Sequence, residues 1–184
     1  MPFWSIEPIL QEWRIRQVLA HIPYGGVLLD IGCDLPPVLI NRVKSRMKRC
    51  IGIDVAAKPG VYENIEIINV DIQKKIPLSS QSVDVITMLA VLEHLHHPEN
   101  VAAECYRLLK PGGLVLLTVP SPSNKPLLEL LAALSLVRPD MIKQHEHYFT
   151  HQELRRLAQQ AGFNKIDIEP FEFGLNTFMK AVKL

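Results

Sequence analysis

The chain has 184 residues, of which 48% are hydrophobic, enough for one folded domain with a substantial core. Its formal net charge of +1 gives no whole-chain electrostatic reason to expect nucleic acid as a partner. Three cysteines are too few for a disulfide framework and lack metal-ligand spacing, which suits a protein of the reducing cytoplasm.

The chain shows no targeting or membrane-spanning signal. The N-terminal residues M-P-F-W-S-I-E-P lack a basic start and a clean apolar stretch, so we expect no signal peptide. The most apolar segment, residues 127–137, is too short to cross a bilayer and contains Glu129. We therefore expect a soluble, cytoplasmic protein.

Helices and short apolar strands alternate along the chain. Apolar residues at helical spacing predict an N-terminal helix within residues 1–22, ended by Pro23 and two glycines. Thr150 and Glu153 predict a capping box at the start of the last helix, and Gly162 predicts its end. The other predicted elements, in chain order, are a strand over 27–31, a helix over 37–47, strands over 50–54, 65–70 and 83–89, a helix over 98–109, a strand over 114–119, the last helix over 152–161, and strands over 166–171 and 176–182.

This alternation predicts a doubly wound α/β fold with a seven-stranded, mostly parallel sheet. The strands are short and apolar on both faces, as expected where helices cover both sides of a sheet. The connection over 172–175 is too short for a helical crossover, so we expect the last strand to run antiparallel to its neighbour.

Acidic residues fall at three successive strand ends, where an open α/β sheet meets its ligand. Asp30 closes the first strand, Asp54 closes the second and Asp71 follows the third. Asp54 is placed to accept both hydroxyls of a ribose, and Asp71 with apolar Ile72 suits the amine and face of an adenine. Gly32 would let the backbone approach a ligand closely. Any single loop aspartate is as well explained as a turn residue; three together favour a binding site.

Five motifs in order resemble the class I S-adenosylmethionine-dependent methyltransferases, and most closely the small single-domain type 11 and type 12 groups. The motifs are V-L-L-D-I-G-C, I-G-I-D, N-V-D-I, the run P-L-S-S-Q-S-V-D-V-I-T-M-L-A-V-L-E-H-L-H-H-P-E, and L-L-K-P-G-G-L-V-L-L-T-V-P. The resemblance covers most of the chain from Val27 onward. It implies a Rossmann-like fold, S-adenosylmethionine as cofactor and methyl transfer as the activity.

The resemblance also implies roles for residues at the predicted cofactor site. Asp30 and Gly32 would flank the methionine part of the cofactor, and the backbone near Leu89 would meet its amino acid end. Asp54 would bind the ribose hydroxyls, while Asp71 and Ile72 would flank the adenine. Arg14 or Arg16 could reach the cofactor carboxylate, because an arginine fork suits one.

The first loop departs from the family pattern D-I-G-C-G-x-G, because Asp34 and Pro36 replace two glycines. The Asp34 side chain could repel the cofactor carboxylate, point to solvent or pair with the cofactor ammonium. Pro36 is compatible with a following helix. The loop therefore leaves a second hypothesis open, a non-catalytic partner protein with a methyltransferase fold. A nicotinamide-dependent oxidoreductase fits poorly, because the loop lacks G-x-G-x-x-G.

Methyl transfer needs a general base only when the acceptor must lose a proton. His94 and His147 are the candidates, since each should lie at the mouth of the crevice. Helix capping is the ordinary alternative for any one of these histidines. A metal site is not predicted, because no carboxylate-histidine signature such as H-E-x-x-H is present.

The connection between the fifth strand and the last helix, residues 121–147, is unusually long. In the family that it resembles, additions at this point commonly cover the acceptor site. An apolar lid over residues 127–137 would suit a small-molecule or lipid- or glycan-linked acceptor with apolar bulk. The alternative is that this segment packs on the sheet or against a second subunit, as in a homodimer.

Overall fold

A computed structural model of the chain describes residues 7–122 and 147–184, whose strands form one eight-stranded sheet. The predicted insertion therefore lies outside the described residues over positions 123–146, as do the first six residues. The elements in chain order are α1 (Glu7–Leu19), β1 (Val27–Ile31), α2 (Val38–Val43), β2 (Arg49–Ile53), β3 (Gly60–Tyr62), β4 (Ile65–Ile68), β5 (Val83–Leu89), α3 (Pro98–Leu108), β6 (Leu109–Pro120), α4 (His151–Ala161), β7 (Lys165–Phe171) and β8 (Asn176–Val182).

The strands lie in the order β3-β4-β2-β1-β5-β6-β8-β7. Strands β4, β2, β1, β5 and β6 are parallel neighbours, whereas β8 runs antiparallel to both β6 and β7. The predicted fold class and the antiparallel last strand are confirmed. The sheet has one strand more than predicted, because the three residues of β3 pair antiparallel with β4 at the sheet margin. Three residues are too few to show a hydrophobic period.

Side-chain alternation along the strands divides the core into two layers. On β1, Leu28 faces the side covered by α1 and α2, whereas Leu29 faces the side covered by α3 and α4. Ile15 of α1 and Ile40 of α2 are completely or almost completely buried against the first face. Leu154 of α4 is fully buried against the second. Helices thus cover both faces, as in a doubly wound fold.

Several element ends differ from the predicted ones. Helix α2 begins at Val38 with Pro37 as its N-cap, and one 3-10 turn over Lys44–Arg46 replaces its predicted last turn. Strand β6 begins at Leu109, because Leu109 pairs with Val83 before a register shift. The capping box of α4 is confirmed: the Glu153 backbone N–H donates to the Thr150 side chain, and Gly162 ends the helix in the left-handed region. No helix within residues 7–122 or 147–184 is long and apolar enough to span a membrane.

Candidate functional site

The parallel strands β1, β2, β4, β5 and β6 all end on one side of the molecule, called here the carboxyl end of the sheet. Asp30 lies there on the face of α1, beside Thr87 of β5. The Thr87 hydroxyl donates to Asp30 Oδ1 at 2.6 Å, and Asp30 is only 3% exposed. Burial raises the pKa of Asp30 to about 7, and the negative charge of Asp34 adds to the increase.

The loop after β1 crosses the end of β2. Gly32 has a φ of +71°, and its N–H donates to the Ile53 carbonyl at 2.8 Å. A Cβ at Gly32 would lie 2.4 Å from Val91 Cγ2, so the chain's own packing requires a glycine here. The sequence predicted that Gly32 makes room for a ligand. In the structure, the absence of a Cβ at Gly32 makes room for the Val91 side chain.

Asp34 also has a positive φ, +57°, so it holds a left-handed conformation of the kind that glycine adopts readily. Its carboxylate Oδ2 accepts a hydrogen bond from Gln11 Nε2 of α1 at 2.7 Å. Partial burial raises the pKa of Asp34, and the nearby charge of Asp54 raises it further. Pro36 and Pro37 precede α2 rather than forming part of it, so the helix can still start.

A hollow lies between this loop and α1, and we refer to it as the rim hollow. Its empty volume is about 370 Å³, including the part open to solvent. The rim hollow is lined by Gln11, Arg14, Ile15, Asp30, Gly32, Cys33, Asp34, Val38, Leu39 and Leu89. Three of the predicted cofactor residues therefore line the same hollow, namely Asp30, Gly32 and Leu89. Burial raises the pKa of Cys33 to about 12, so its thiol stays protonated.

Arg14 is the basic residue among those that line the rim hollow, and Arg16 is not part of it. The buried Nε of Arg14 has no hydrogen-bond partner among the described residues. Burial raises the pKa values of Asp34, Glu93 and Glu172, and the positive charge of Arg14 acts against that rise at each of them, so all three carboxyls lie near it. Arg16 instead pairs with Glu12 at 2.8 Å, and its side chain is 71% exposed. Of the two predicted arginines, Arg14 is the one placed at the site.

The other predicted cofactor residues lie along the carboxyl end but not on the wall of the rim hollow. Asp54 Oδ1 accepts from the Ala56 N–H at 2.8 Å, and Asp71 Oδ1 accepts from the Gln73 N–H at 3.0 Å. One oxygen of each carboxylate therefore stabilises a local turn, which is the alternative role that the sequence left open for these aspartates. Asp54 Oδ2 makes no hydrogen bond to any residue in the described ranges. Ile72 is 8% exposed and packs in the core on the α3 side.

The two histidine candidates, His94 and His147, both lie at the carboxyl end of the sheet. His94 closes a short 3-10 turn over Leu92–His94, directly after β5. The exposed His147 donates its backbone N–H to the Glu93 carbonyl at 3.2 Å. Residues 93–94 and residue 147 are therefore neighbours in space although they lie more than 50 positions apart.

Glu93 is a site candidate that the sequence analysis did not single out. It is 1% exposed, and its Oε2 has no hydrogen-bond partner among the described residues. Burial raises the pKa of Glu93 to about 7, whereas its own backbone N–H and the charge of Arg14 lower it. An acid directly after the fourth predicted strand, within the motif V-L-E-H, was the signal that could have pointed to it.

Buried polar atoms without partners collect at this end of the sheet. Within residues 7–122 and 147–184, six buried side-chain nitrogen or oxygen atoms lack a hydrogen bond, and they belong to Arg14, Arg46, Glu93, Thr118, Glu172 and Thr177. Five of them lie at or beside the carboxyl end, and Arg46 is the exception. Because native chains leave few such atoms unpaired, this concentration marks a ligand site.

The fold and this site define the chain as a Rossmann-like protein of the class I methyltransferase type, with acids at successive strand ends and an antiparallel last strand. Residues 8–168 match the methyltransferase-domain family. The chain belongs to this family and is a class I S-adenosylmethionine-dependent methyltransferase.

Individual relatives agree with this assignment. The chain is 27% identical to a ubiquinone biosynthesis O-methyltransferase of Bordetella avium over 184 aligned residues, covering 94% of this chain and 75% of that protein. A solved S-adenosylmethionine-dependent methyltransferase of Thermotoga maritima superposes with a TM-score of 0.71 at 17% identity, covering 97% of this chain and 98% of the other. A Haemonchus contortus phosphoethanolamine N-methyltransferase, solved with S-adenosylhomocysteine, gives 0.68 at 16% identity, covering 95% of this chain and 53% of that chain. Likeness at these identities shows the shared fold.

Proposed function

We propose that this methyltransferase transfers a methyl group from S-adenosylmethionine to a hydroxyl oxygen of a small-molecule or lipid- or glycan-linked acceptor. The cofactor part of this proposal rests on Arg14, a half-buried residue that lines the rim hollow and whose buried Nε has no hydrogen-bond partner among the described residues. A guanidinium in this state fits a carboxylate, and the methionine part of the cofactor carries one.

The remaining residues fit the cofactor along the carboxyl end. Asp30 and Gly32 flank the methionine part, with the Leu89 backbone on the neighbouring strand. Asp54 offers the ribose hydroxyls the carboxylate oxygen that its own turn does not use. Asp71 and Ile72 border the adenine, with Ile72 contributing apolar surface at the margin of the core.

S-adenosylmethionine, when bound, would supply a methyl group activated by the sulfonium, with the neutral thioether of S-adenosylhomocysteine as the leaving group. The chain's own contribution is to orient the acceptor and exclude water from it. The relative from Bordetella avium is named an O-methyltransferase, which supports oxygen as the methylated atom. A hydroxyl acceptor must lose its proton, so His94 or His147 would act as general base from the rim, where the His147 backbone is bonded to Glu93, the neighbour of His94.

The names of the relatives support the proposed acceptor class. Several are named for ubiquinone biosynthesis, which supports an acceptor with apolar bulk. The lid hypothesis for residues 121–147 concerns a segment that lies mostly outside the described residues, so this proposal does not rest on it. The free cysteines, all buried, support a reducing compartment such as the cytoplasm.

Calorimetric titration with S-adenosylhomocysteine tests cofactor binding. We expect saturable binding to the native chain and roughly 10-fold to 150-fold weaker binding to Asp54→Ala, because hydrogen bonds to a charged group contribute about 1.5–3 kcal/mol. Asp167→Ala, an exposed acid on β7, is the matched control and should bind like the native chain. Absence of binding at millimolar ligand, in protein whose circular dichroism shows it folded, would contradict the proposal.

A methyl-transfer assay separates the acceptor classes. A catechol and a catechol carrying a farnesyl chain are offered with isotope-labelled S-adenosylmethionine, and a primary alkyl amine serves as the nitrogen comparison. We expect labelled methyl ether from the catechols, with the farnesylated one favoured, and no product from the amine. Methylation of the amine alone would overturn oxygen as the acceptor atom.

A further inference from the structure

Asp34 occupies a position where the family pattern has glycine, yet the loop keeps a glycine-like path. Its φ of +57° lies in the left-handed region, which aspartate tolerates better than most residues. The preceding loop residues remain bonded to the end of β2, with Gly32 and Cys33 both donating to the Ile53 carbonyl. The substitution therefore adds a side chain to the site with the loop held against β2.

That side chain lines the rim hollow. Asp34 Oδ2 accepts from Gln11, a neutral amide, and no basic residue in the described ranges forms an ion pair with it. Burial raises the pKa of Asp30 and the charge of Asp34 raises it further; burial also raises the pKa of Asp34, and the charge of Asp54 adds to that rise. Asp30 and Asp34 both line the rim hollow, so negative charge there would stabilise a bound cation.

Arg14 supplies the opposite charge on the same hollow. Burial raises the pKa of Asp34, and the positive charge of Arg14 offsets a small part of that rise, but the two side chains form no ion pair within 4.0 Å. A gap therefore separates the guanidinium from the carboxylate. The α-amino acid group of a ligand carries an ammonium and a carboxylate on one carbon, so their charged atoms lie about 3 Å apart. Such a zwitterion can bridge Arg14 and Asp34 in one orientation.

We propose that Asp34 binds the α-ammonium of the cofactor while Arg14 binds its α-carboxylate. Two charged side chains would then hold the amino acid end of the cofactor, although the family pattern has a glycine at the position of Asp34. This inference rests on the proposed cofactor site and adds a ligand residue specific to this chain. On binding, Asp34 exchanges its bond with Gln11 for the ammonium.

Calorimetry with three ligands isolates the ammonium contact. The probes are S-adenosylhomocysteine, its deaminated analogue, which keeps the carboxylate, and 5′-methylthioadenosine, which lacks the amino acid end. The variant is Asp34→Asn, which removes the charge at nearly constant size. We expect it to weaken S-adenosylhomocysteine by roughly 10-fold to 30-fold and to leave the deaminated analogue and 5′-methylthioadenosine within about twofold of native.

The matched control is Glu63→Gln, which removes an exposed acid that also has a positive φ but lies away from the rim hollow. It should bind all three ligands like the native chain. Equal weakening of all three ligands by Asp34→Asn would overturn the ammonium contact, as would a gain in S-adenosylhomocysteine affinity on Asp34→Gly, since Asp34 would then obstruct the site. If the native chain binds none of the three, the cofactor proposal fails as well; if it binds them and Asp34→Asn does not discriminate, this inference alone fails.

Discussion

Acidic residues lie at both ends of the sheet, but their hydrogen bonding within the chain differs between the two ends. At the amino end, where the parallel strands begin, Asp84 accepts from the Val27 N–H at 2.7 Å and from Lys110 Nζ at 2.8 and 2.9 Å. At the carboxyl end, Asp30 has one hydroxyl partner at normal distance, and Glu93 has a buried oxygen with none among the described residues. Asp84 at the amino end thus has partners for both carboxylate oxygens, whereas Glu93 at the carboxyl end keeps one buried oxygen without a partner among the described residues.

Backbone strain follows the same division. Non-glycine residues with positive φ cost about 1 kcal/mol each. Within the described ranges, Asp34, Ala90, Glu172 and Phe173 have this conformation at the carboxyl end, and Glu63 and Gln81 have it at the amino end. The carboxyl end therefore combines strained loops with unpaired polar atoms, both of which lower stability. Such features persist where function requires them.

The largest expected effect is a pH dependence of stability that arises at the carboxyl end. The ordinary pKa of Glu93 is 4.5 and the folded value is about 7, so between these pH values the folded chain holds a proton that the unfolded chain has lost. Glu93 should therefore lower the free energy of unfolding by something on the order of 3 kcal/mol as pH rises from 4.5 to 7. Burial also raises the pKa of Asp30, from 3.8 to about 7, so Asp30 adds a fall in the same direction and both contributions stay level above pH 7. Urea unfolding at pH 5 and pH 8 measures this fall, and Glu93→Gln should reduce it.

Glu104→Gln is the control for this measurement. Its side-chain bond to Arg107 lowers the pKa of Glu104, so its contribution has the opposite sign and is lost as pH falls. The control should retain the native fall between pH 5 and pH 8. If the free energy of unfolding of Glu93→Gln fell between pH 5 and pH 8 as much as that of the native chain, the contrast in hydrogen bonding between the two ends of the sheet would be contradicted.

The second effect concerns binding. Arg14→Gln should weaken S-adenosylhomocysteine by about 30-fold, equivalent to about 2 kcal/mol, because a charge-assisted bond to the ligand carboxylate is lost. Stability should change little, since Arg14 makes no hydrogen bond among the described residues. Arg16→Gln, on the same helix, should bind normally. Equal affinities for the two variants in calorimetry would remove Arg14 from the site.

The third effect tests the amino end. Asp84→Ala leaves the Val27 N–H and Lys110 without their acceptor, so we expect a loss of about 1.5 kcal/mol in the free energy of unfolding. Affinity for S-adenosylhomocysteine should stay within twofold of native. Urea unfolding and calorimetry on the same protein give both numbers. A loss of affinity without a loss of stability would reverse the roles assigned to the two ends.

The smallest effect tests strain. Phe173 lies in the β7–β8 turn with a φ of +56° and is 97% exposed, so its ring contributes little packing. Asparagine tolerates this conformation better, and Phe173→Asn should stabilise the chain by about 0.5 kcal/mol. Glu63→Asn is the counterpart at the amino end, with a φ of +54°. A destabilised Phe173→Asn in thermal unfolding would mean that the phenyl ring packs in solution.

The sequence by itself determined the fold class and the positions of the acids. Strand length, apolar runs and capping residues are local properties, so they predicted seven of the strands and the capping box at Thr150. The strand ends then located Asp30, Asp54 and Asp71, because parallel strands all present their carboxyl ends to one side. The motifs V-L-L-D-I-G-C and V-L-E-H carried the family in the same local way.

Tertiary structure decided which of these residues meet and which remain unpaired. Arg14 and Arg16 stand two positions apart on one helix, and only packing of α1 against the sheet turned Arg14 to the rim hollow. The same holds for Glu93, whose burial depends on residues distant in sequence, including the contact with His147. The hydrophobic pattern of a sequence indicates which face of a helix or strand is apolar. Hydrogen bonds and ion pairs between polar side chains depend on distances between different elements, and the folded structure alone sets these distances.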